Sequence, residues 1–373
     1  MKALHILHSE AAFGWGGQEI RIIQETRLLL ERGHSVSIVC QPGSPIAERC
    51  QTITHPHFKF FTVVMPRPVS PGAFAGLYRL IKKSKPDILH THSSIDSWLV
   101  SFIGRLLDIP IVRSRHVSIP VKNIFPNNWL YSNFPERILT SGESIRNHLI
   151  QLNGVTAEQV VSISPGVDMR RFDPGVSGDK IRSELGLEPD QPLIGKIGVI
   201  RGWKGHVYFL QAVPLVLERF PDARFIIVGA GPGYEEIKEK SRAPELKGSV
   251  TVMGHREDIP EIVSAMNILV LASFAGEGTP QVIPQAFAMK TPVVASRGGG
   301  IPELFREREC GVLTDIKSGK SLAEGIVKVL QNPEWAEKLA ENAYDYCRKE
   351  LTWGHKIDQT IQVYNDALNS FYK

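Results

Sequence analysis

The chain has 373 residues, of which 42% are hydrophobic and 22% charged, with a formal net charge of +4. These proportions exclude a disordered or fibrous chain, and the length exceeds what one hydrophobic core usually serves, so two domains are expected. The positive charge is concentrated up to Arg170, where 18 Lys and Arg stand against 12 Asp and Glu, but no nucleic-acid-binding motif accompanies it. We therefore expect no nucleic-acid partner.

The chain carries no recognisable export or membrane signal. Its first residues are too polar for a signal peptide, and no apolar run approaches the roughly 20 residues that span a bilayer. Four cysteines form no CxxC pair, which favours reduced thiols without a disulfide or zinc (Cys40, Cys50, Cys310 and Cys347). We expect a cytoplasmic protein, and peripheral contact of its first half with the inner face of the membrane stays open.

Apolar runs alternate with amphipathic stretches from the start of the chain. The pattern predicts strands over Ala3–His8, Ser35–Cys40, Asp87–His92 and Ile109–Arg113, with a helix over Gln18–Arg32. The alternation restarts after a Pro- and Gly-rich linker at Ser162–Glu188, with strands predicted over Leu193–Ile200, Arg224–Gly229, Val250–Gly254, Ile268–Ala272, Pro292–Ala295 and Gly311–Thr314. Helical spacing predicts a terminal helix over Trp353–Tyr372.

Such alternation is typical of βαβ units, whose parallel strands need helical crossovers. The sequence therefore predicts an α/β protein with two Rossmann-like, doubly wound parallel-sheet domains facing across a cleft. In such sheets ligands bind beyond the carboxyl ends of the strands, where amides at helix starts meet anions.

The first candidate site is the glycine-rich stretch around Gly16 and Gly17, after the first strand. Glycines there let the backbone approach a phosphate, although a tight turn without a ligand is the alternative. His90 and His92 end the predicted strand Asp87–His92, and His116 lies at the end of the following one. We expect His116 to donate a hydrogen bond to a ligand oxygen. His90 and His92 have the spacing of a metal pair but no acidic companion, so we expect no metal site.

In the second half, Arg201 and Lys204 lie beside glycines between a strand and a helix, which suits a diphosphate leaving group. Gly229 and the pair His255 and Arg256 end two further strands, where their backbone can border a nucleobase, although both stretches can be plain turns.

The richest stretch runs over residues 273–287 and contains Glu277. Pro280 suits the first turn of a helix, so that the amides of Thr279, Gln281 and Val282 point at an anion. Pro284 leaves the exact helix start open.

Taken in order, these motifs resemble family 4 of the retaining glycosyltransferases, which have the GT-B fold. The matching pieces span almost the whole chain: Gly16–Glu19, Asp87–His92, Pro165–Asp168 with Phe172 and Pro174, Lys204-Gly205, Val228–Pro232, Glu277–Pro280 and Gly298–Glu303.

The resemblance implies an acceptor-side domain over residues 1–165, a nucleotide-sugar-binding domain over 166–352 and a terminal helix, 353–373, that crosses back onto the first domain. It implies that Glu277 contacts hydroxyls of the donor sugar together with the loop Gly278–Val282, and that Arg201 and Lys204 bind the diphosphate. His116 is implied near the transferred sugar, and Gly16 and Gly17 would let the first domain close over the donor.

Three departures affect single residues. Gln285 stands where the family has a second glutamate for the ribose, so the hydroxyl contact loses charge assistance. Val199 stands at the family's arginine, with Arg201 two residues later, and Pro165 replaces an asparagine.

With this resemblance, the sequence predicts transfer of a hexose from a UDP- or GDP-sugar to a glycan or lipid-linked acceptor. The resemblance implies retention of the anomeric configuration and a place in bacterial surface polysaccharide or lipopolysaccharide synthesis. No D-x-D motif occurs, so we expect no metal and no cofactor beyond the nucleotide sugar. The aromatic stretch over residues 117–135 suits an acceptor or lipid rim, or else belongs to the core. A sugar-nucleotide epimerase of the same fold and a non-catalytic nucleotide-sugar binder remain alternatives.

Overall fold

The structure is a computed structural model that describes residues 3–116, 119–152, 154–305 and 308–372. The chain divides into two compact units. The first comprises the residues up to Ser164 together with those from Trp353 onward, and the second runs from Pro165 to Thr352. None of the helices in the described part of the chain has both the length and the apolar character of a bilayer span.

The first unit contains a seven-stranded parallel sheet with the order β3-β2-β1-β4-β5-β6-β7. Its strands are β1 (His5–Glu10), β2 (Ser35–Cys40), β3 (Phe58–Thr62), β4 (Ile88–Thr91), β5 (Ile111–Arg115), β6 (Arg137–Thr140) and β7 (Val160–Ser162). Its helices are α1 (Gly17–Glu31), α2 (Pro45–Cys50), α3 (Pro71–Ser84), α4 (Ser94–Leu106), α5 (Asn127–Ser132) and α6 (Glu143–Leu149).

Successive residues of the first unit's strands point into different cores, one on each face of the sheet. Ile6 and Ile88 belong to one buried cluster, while their neighbours Leu7 and Leu89 belong to another. Because both faces are covered by helices, the strands read as continuous apolar runs rather than as an alternating pattern.

The second unit contains a six-stranded parallel sheet with the order β10-β9-β8-β11-β12-β13. Its strands are β8 (Leu193–Ile197), β9 (Arg224–Val228), β10 (Val250–Gly254), β11 (Ile268–Leu271), β12 (Val293–Ser296) and β13 (Val312–Thr314). Its helices are α7 (Asp179–Glu184), α8 (His206–Leu217), α9 (Tyr234–Lys240), α10 (Ile259–Ala265), α11 (Val282–Ala288), α12 (Gly319–Gln331) and α13 (Pro333–Glu350).

The last helix, α14 (Trp353–Phe371), returns to the first unit. Its buried residues Ile357, Ile361 and Tyr364 share a core cluster with Ile6 and Ile88. Helical spacing of apolar residues thus brings one side of the helix against the first sheet.

Several predicted boundaries were wrong. The first strand begins two residues later than predicted, at His5, and the fifth extends to Arg115. The stretch predicted as a linker contains α7, and its Val167, Phe172 and Ile181 are core residues of the second unit. The short strands β3, β6 and β7 were not predicted, since three to five residues carry little periodicity of their own.

Candidate active site

The second unit places its candidate residues at the point where the strand order reverses. β9 and β10 lie on one side of β8, and β11, β12 and β13 lie on the other. Loops that leave the carboxyl ends of β8 and β11 are therefore neighbours, which is where open α/β sheets bind ligands.

Lys204 and Glu277 meet at this point. Lys204 ends a short 3-10 turn, Gly202–Lys204, after β8, and Glu277 lies in the loop after β11. The Lys204 Nζ donates to Glu277 Oε1 at 2.5 Å. The carboxylate side chain is 8% exposed and the lysine side chain 23% exposed. The sequence assigned these residues to different parts of a ligand, and the structure brings them into one ion pair.

The backbone around Glu277 is fixed from two sides. Phe274 N donates to Trp203 O at 3.0 Å on one side, and Gly300 N donates to Glu277 O at 3.2 Å on the other. Gly299 has φ +56°, and a Cβ at this position would lie 2.4 Å from the same carbonyl oxygen. Only glycine lets the two loops approach so closely, so the run Gly298–Gly300 serves to hold the Glu277 loop.

The glycine at 229 has a packing explanation within the second unit. Gly229 has φ +145°, and a Cβ there would lie 2.0 Å from Gly198 O. The glycine is therefore required by the approach of the β9 end to the β8 end, whether or not a nucleobase borders it.

The helix after Glu277 begins later than predicted. α11 starts at Val282, so Pro280 lies before the helix. The prediction that Pro280 belongs to the first helical turn was wrong. Ile283 N donates to Pro280 O at 3.3 Å and Gln285 N to Gln281 O at 3.2 Å. Pro284 is the third helical residue, where a missing N–H breaks no intrahelical bond.

The loop and the first turn present a mixture of buried and half-buried residues. Gly278, Thr279 and Pro280 are buried, whereas Gln281, Val282 and Gln285 are half-buried. The half-buried amide of Gln285 therefore lies on the helix that follows the Glu277 loop.

The other predicted cations differ in availability. The Arg201 guanidinium is exposed and lies 5.5 Å from the centre of the Trp203 ring. Arg256 is bound to two carboxylates, at 2.7 Å from Glu184 and 2.6 Å from Asp258. His255 is exposed. The side chain of Arg256 is thus engaged within the protein, and only its backbone is left for the predicted nucleobase contact.

Lys196 was missed by the sequence reasoning. It lies in β8 and is 1% exposed. Burial, and then the positive charge of Lys204, lower the pKa of its ammonium to about 7, while Glu277 acts in the opposite direction. A lysine inside the apolar run Leu193–Ile197 was the available signal. It adds a second amino group to the neighbourhood of the Lys204–Glu277 pair.

In the first unit, the glycine-rich stretch forms the start of α1. Gly16 N donates to Glu19 Oε2 at 2.8 Å. Glu10, at the end of β1, is buried and accepts from Ala12 N at 2.8 Å. Burial, reinforced by the nearby Asp96, raises the pKa of Glu10 to about 8. A Cβ at Gly17 meets no atom within 4 Å. The unit's own packing therefore does not explain this glycine.

The strand-end histidines form a buried group together with a residue that the sequence reasoning missed. His8 from β1 joins His90 and His92, and one ring nitrogen of each lies within 4.8 Å of the other two. Half-buried His116 follows β5, and its Nε2 lies 3.3 Å from His92 Nδ1. Burial lowers the pKa of His116 to about 3, so the ring is neutral at physiological pH.

The aromatic stretch divides between core and surface. Val117 and Ser118 lie outside the described residues. Tyr131 and Phe134 are buried, whereas Phe125 is 75% exposed and packs on Trp129 with 6.0 Å between ring centres. The core interpretation therefore holds for Tyr131 and Phe134, whereas the rim stays a prediction for the exposed Phe125.

Both families whose models match this chain are glycosyltransferase families. The family described as "Glycosyltransferase Family 4" matches residues 15–171, and the family described as "Glycosyl transferases group 1" matches residues 177–346. Together they cover most of both units.

Two curated relatives are similar over nearly their full length. An Escherichia coli UDP-Gal:alpha-D-GlcNAc-diphosphoundecaprenol alpha-1,3-galactosyltransferase is 26% identical, covering 92% of this chain and 91% of the relative. A D-inositol 3-phosphate glycosyltransferase of Corynebacterium glutamicum is 25% identical, covering 95% and 92%.

Solved structures share the fold. A glycosyltransferase from Rickettsia africae has a TM-score of 0.88 at 20% identity, covering 99% of both chains. The Anabaena HepE protein in complex with UDP and glucose has a TM-score of 0.83 at 19% identity, covering 97% of this chain and 99% of that chain. The prediction of two doubly wound parallel-sheet domains of the GT-B class is confirmed.

Proposed function

We propose that this chain, which belongs to glycosyltransferase family 4, transfers a hexose from a UDP- or GDP-sugar to a glycan or lipid-linked acceptor. The main support for this proposal is the ion pair between Lys204 and Glu277, which lies where the strand order of the second sheet reverses. A nearly buried carboxylate suits sugar hydroxyls, and neighbouring ammonium groups suit a diphosphate whose charge grows as the glycosidic bond breaks.

In this proposal the roles are divided among the residues around that pair. Glu277 accepts hydrogen bonds from donor-sugar hydroxyls, while Lys204, Arg201 and Lys196 face the diphosphate. The loop Gly278–Val282 supplies amides, and Gln285 bonds the ribose. In the first unit, His116 donates a hydrogen bond to a substrate oxygen.

Thermal-shift measurements with UDP, GDP, ADP and their sugars test the donor class. Because a ligand that binds only the folded protein raises the melting temperature, one nucleotide series should raise it by several degrees. If no nucleoside diphosphate or nucleotide sugar raises the melting temperature at millimolar concentration, the proposed donor class is wrong.

We propose that transfer proceeds with retention and by attack on the same face of the sugar. Glu277 is already bound to Lys204, which suits it to holding hydroxyls rather than to forming a covalent bond to the anomeric carbon. The leaving phosphate would then assist the incoming hydroxyl, with its charge stabilised by the ammonium groups.

We expect transfer to be independent of divalent metal. Lys204, Arg201 and the amides of the Gly278–Val282 loop would carry the charge that a metal neutralises in other enzymes. The initial rate should therefore change less than about twofold in excess EDTA. A rate that collapses in EDTA and returns with Mn²⁺ would show that the expectation is wrong.

Gln285→Glu should tighten nucleotide binding by up to about tenfold, because a charge-assisted hydrogen bond to a ribose hydroxyl is stronger than a neutral one. Isothermal titration with the preferred nucleotide measures the change. Gln331→Glu, at the exposed end of α12 in the same unit, is the control for added charge. Equal tightening in both variants, or none in Gln285→Glu, would argue against a ribose contact.

Gly17→Ala should raise KM for the donor on the order of tenfold, since an added methyl group displaces a ligand that approaches the backbone. The melting temperature should stay level or rise, because the Cβ meets no protein atom and alanine favours a helix over glycine by up to about 1 kcal/mol. Gly72→Ala, at the start of α3 and equally free of contacts, is the control. An unchanged KM would place the ligand elsewhere.

For the acceptor, we propose a lipid-linked glycan held near the exposed part of the aromatic stretch. Phe125 and Phe102 are 75% and 45% exposed and surround Trp129, at 6.0 and 5.9 Å between ring centres. Exposed aromatic rings beside cationic residues such as Lys122 suit the interface of an anionic membrane. Co-sedimentation with anionic vesicles, lost in Phe125→Ser, would support this contact, and equal sedimentation of both proteins would contradict it.

A further inference from the structure

The buried histidines of the first unit are connected in a definite order. β1, β4 and β5 are adjacent strands, and His8 is the registered partner of His90. His92 and His116 follow the last residues of β4 and β5. The carboxyl ends of three strands therefore bring four imidazoles together at one edge of the sheet.

Three of these imidazoles form a continuous hydrogen-bonded chain. His8 Nδ1 lies 2.9 Å from His92 Nε2, and His92 Nδ1 lies 3.3 Å from His116 Nε2. The rings of His92 and His116 are nearly parallel, with an interplanar angle of 15°. We call His8, His92 and His116 the imidazole chain. It leads from a fully buried residue to a half-buried one.

His90 lies beside the imidazole chain without belonging to it. Its Nδ1 is 2.8 Å from the Tyr364 hydroxyl, and its Nε2 is 2.8 Å from the Ser114 hydroxyl. Both ring nitrogens are thus engaged by hydroxyl groups, although the ring centres of His90 and His92 are only 4.2 Å apart.

The hydrogen bonds of the imidazole chain must all run in one direction. Burial lowers the pKa of His8 to about 3 and that of His92 well below its usual value, so each ring is neutral and carries one proton. If His92 carries its proton on Nδ1, it donates to His116 and accepts from His8. If it carries the proton on Nε2, both bonds are reversed.

The buried end of the chain decides between the two directions. His8 Nε2 is buried and has no hydrogen-bond partner among the described residues. In the reversed direction the proton of His8 would sit on this nitrogen as an N–H without an acceptor, which buried structures rarely tolerate. The favoured direction runs from His8 through His92 to His116 and leaves His116 with its proton on Nδ1.

We infer that His8 and His92 are positioning residues that fix His116 as the Nδ1-protonated tautomer and so prepare it to donate a hydrogen bond to a substrate oxygen. The inference rests on the proposed contact of His116 with substrate. No protein partner of His116 Nδ1 is seen among the described residues, so this donor is available to a ligand.

Long-range ¹H–¹⁵N correlation spectra of the full chain, labelled at histidine, test the tautomer directly. At pH 7 we expect His116 with the proton on Nδ1, and the same tautomer for His8 and His92. A proton on Nε2 of His116 would overturn the inference. So would a bound metal ion whose removal by EDTA changes the His8 and His92 resonances.

A pair of variants separates positioning from mere structure. His92→Phe keeps a ring but breaks the imidazole chain, so kcat should fall on the order of tenfold while the donor KM changes little. His90→Phe, two residues earlier in β4 and also buried, should leave the His116 tautomer and kcat near wild type. An equal fall of kcat in His92→Phe and His90→Phe would overturn the inference. Wild-type activity in His116→Ala would instead contradict the proposed substrate contact and leave the tautomer result standing.

Discussion

Glu277→Gln is expected to lower the transfer rate by two to three orders of magnitude while the affinity for free nucleotide changes by less than about threefold. The amide keeps the shape of the side chain but loses the charge that strengthens its bonds to sugar hydroxyls. A free nucleotide has no donor sugar, so its binding should be nearly indifferent to this change. Steady-state kinetics with the preferred donor and calorimetry with its nucleotide measure the two effects.

The control for Glu277→Gln is Glu341→Gln in the same unit. Glu341 forms a similar ion pair with Lys290, at 2.6 Å, but its side chain is 51% exposed. Such a surface pair is worth little, so activity and stability should stay close to wild type. Glu277 does not act on the sugar if the two variants lose activity equally. The same conclusion follows if Glu277→Gln lowers the affinity for free nucleotide as much as it lowers the transfer rate.

Lys196→Met is expected to stabilise the unliganded protein and to weaken diphosphate binding about tenfold or more. The pKa of Lys196 is lowered from 10.5 to about 7. At about 1.4 kcal/mol per pKa unit, keeping the buried ammonium charged therefore costs the folded protein several kcal/mol. Because methionine does not fill the same volume, we expect a net gain of about 2 to 4 kcal/mol in the free energy of unfolding. Chemical denaturation at pH 7 measures it.

The pH dependence of this gain has a definite sign. Between pH 7 and 10.5 the unfolded chain keeps the Lys196 proton and the folded chain releases it, so wild-type stability rises with pH over this range. The advantage of Lys196→Met should therefore be full at and below pH 7 and shrink toward pH 10.5. Lys320→Met, at a lysine whose side chain is 83% exposed, should show no such trend. If Lys196→Met lowered the free energy of unfolding at every pH, the claim that the buried ammonium of Lys196 destabilises the folded protein would be wrong.

The sequence predicted the fold from features that are local. Apolar runs such as Ser35–Cys40 and Ile268–Ala272 match strands of the structure to within one residue, because strands inside a sheet that is covered on both faces are largely apolar. The short strands β6 and β7 escaped prediction, since their pairing depends on neighbours that are distant in the sequence.

The candidate site was predictable as a set of positions but not as a set of contacts. Glycine and proline indicated the loops that carry Lys204 and Glu277. The 2.5 Å contact between these two side chains, however, depends on β8 and β11 being neighbours in the sheet. Gly229 was interpreted through a ligand, and the structure shows that a close backbone approach already requires this glycine. His8 and Lys196 were missed because single polar residues inside apolar strands look like ordinary exceptions.

The most direct test of the proposed transfer is ¹H NMR of a reaction that contains the preferred nucleotide sugar and a polyprenyl-diphosphate-linked sugar. The proposal predicts release of the nucleoside diphosphate and a new glycosidic bond on the acceptor, with the anomeric configuration of the donor preserved. Formation of an epimerised or free sugar without need of the acceptor would contradict it.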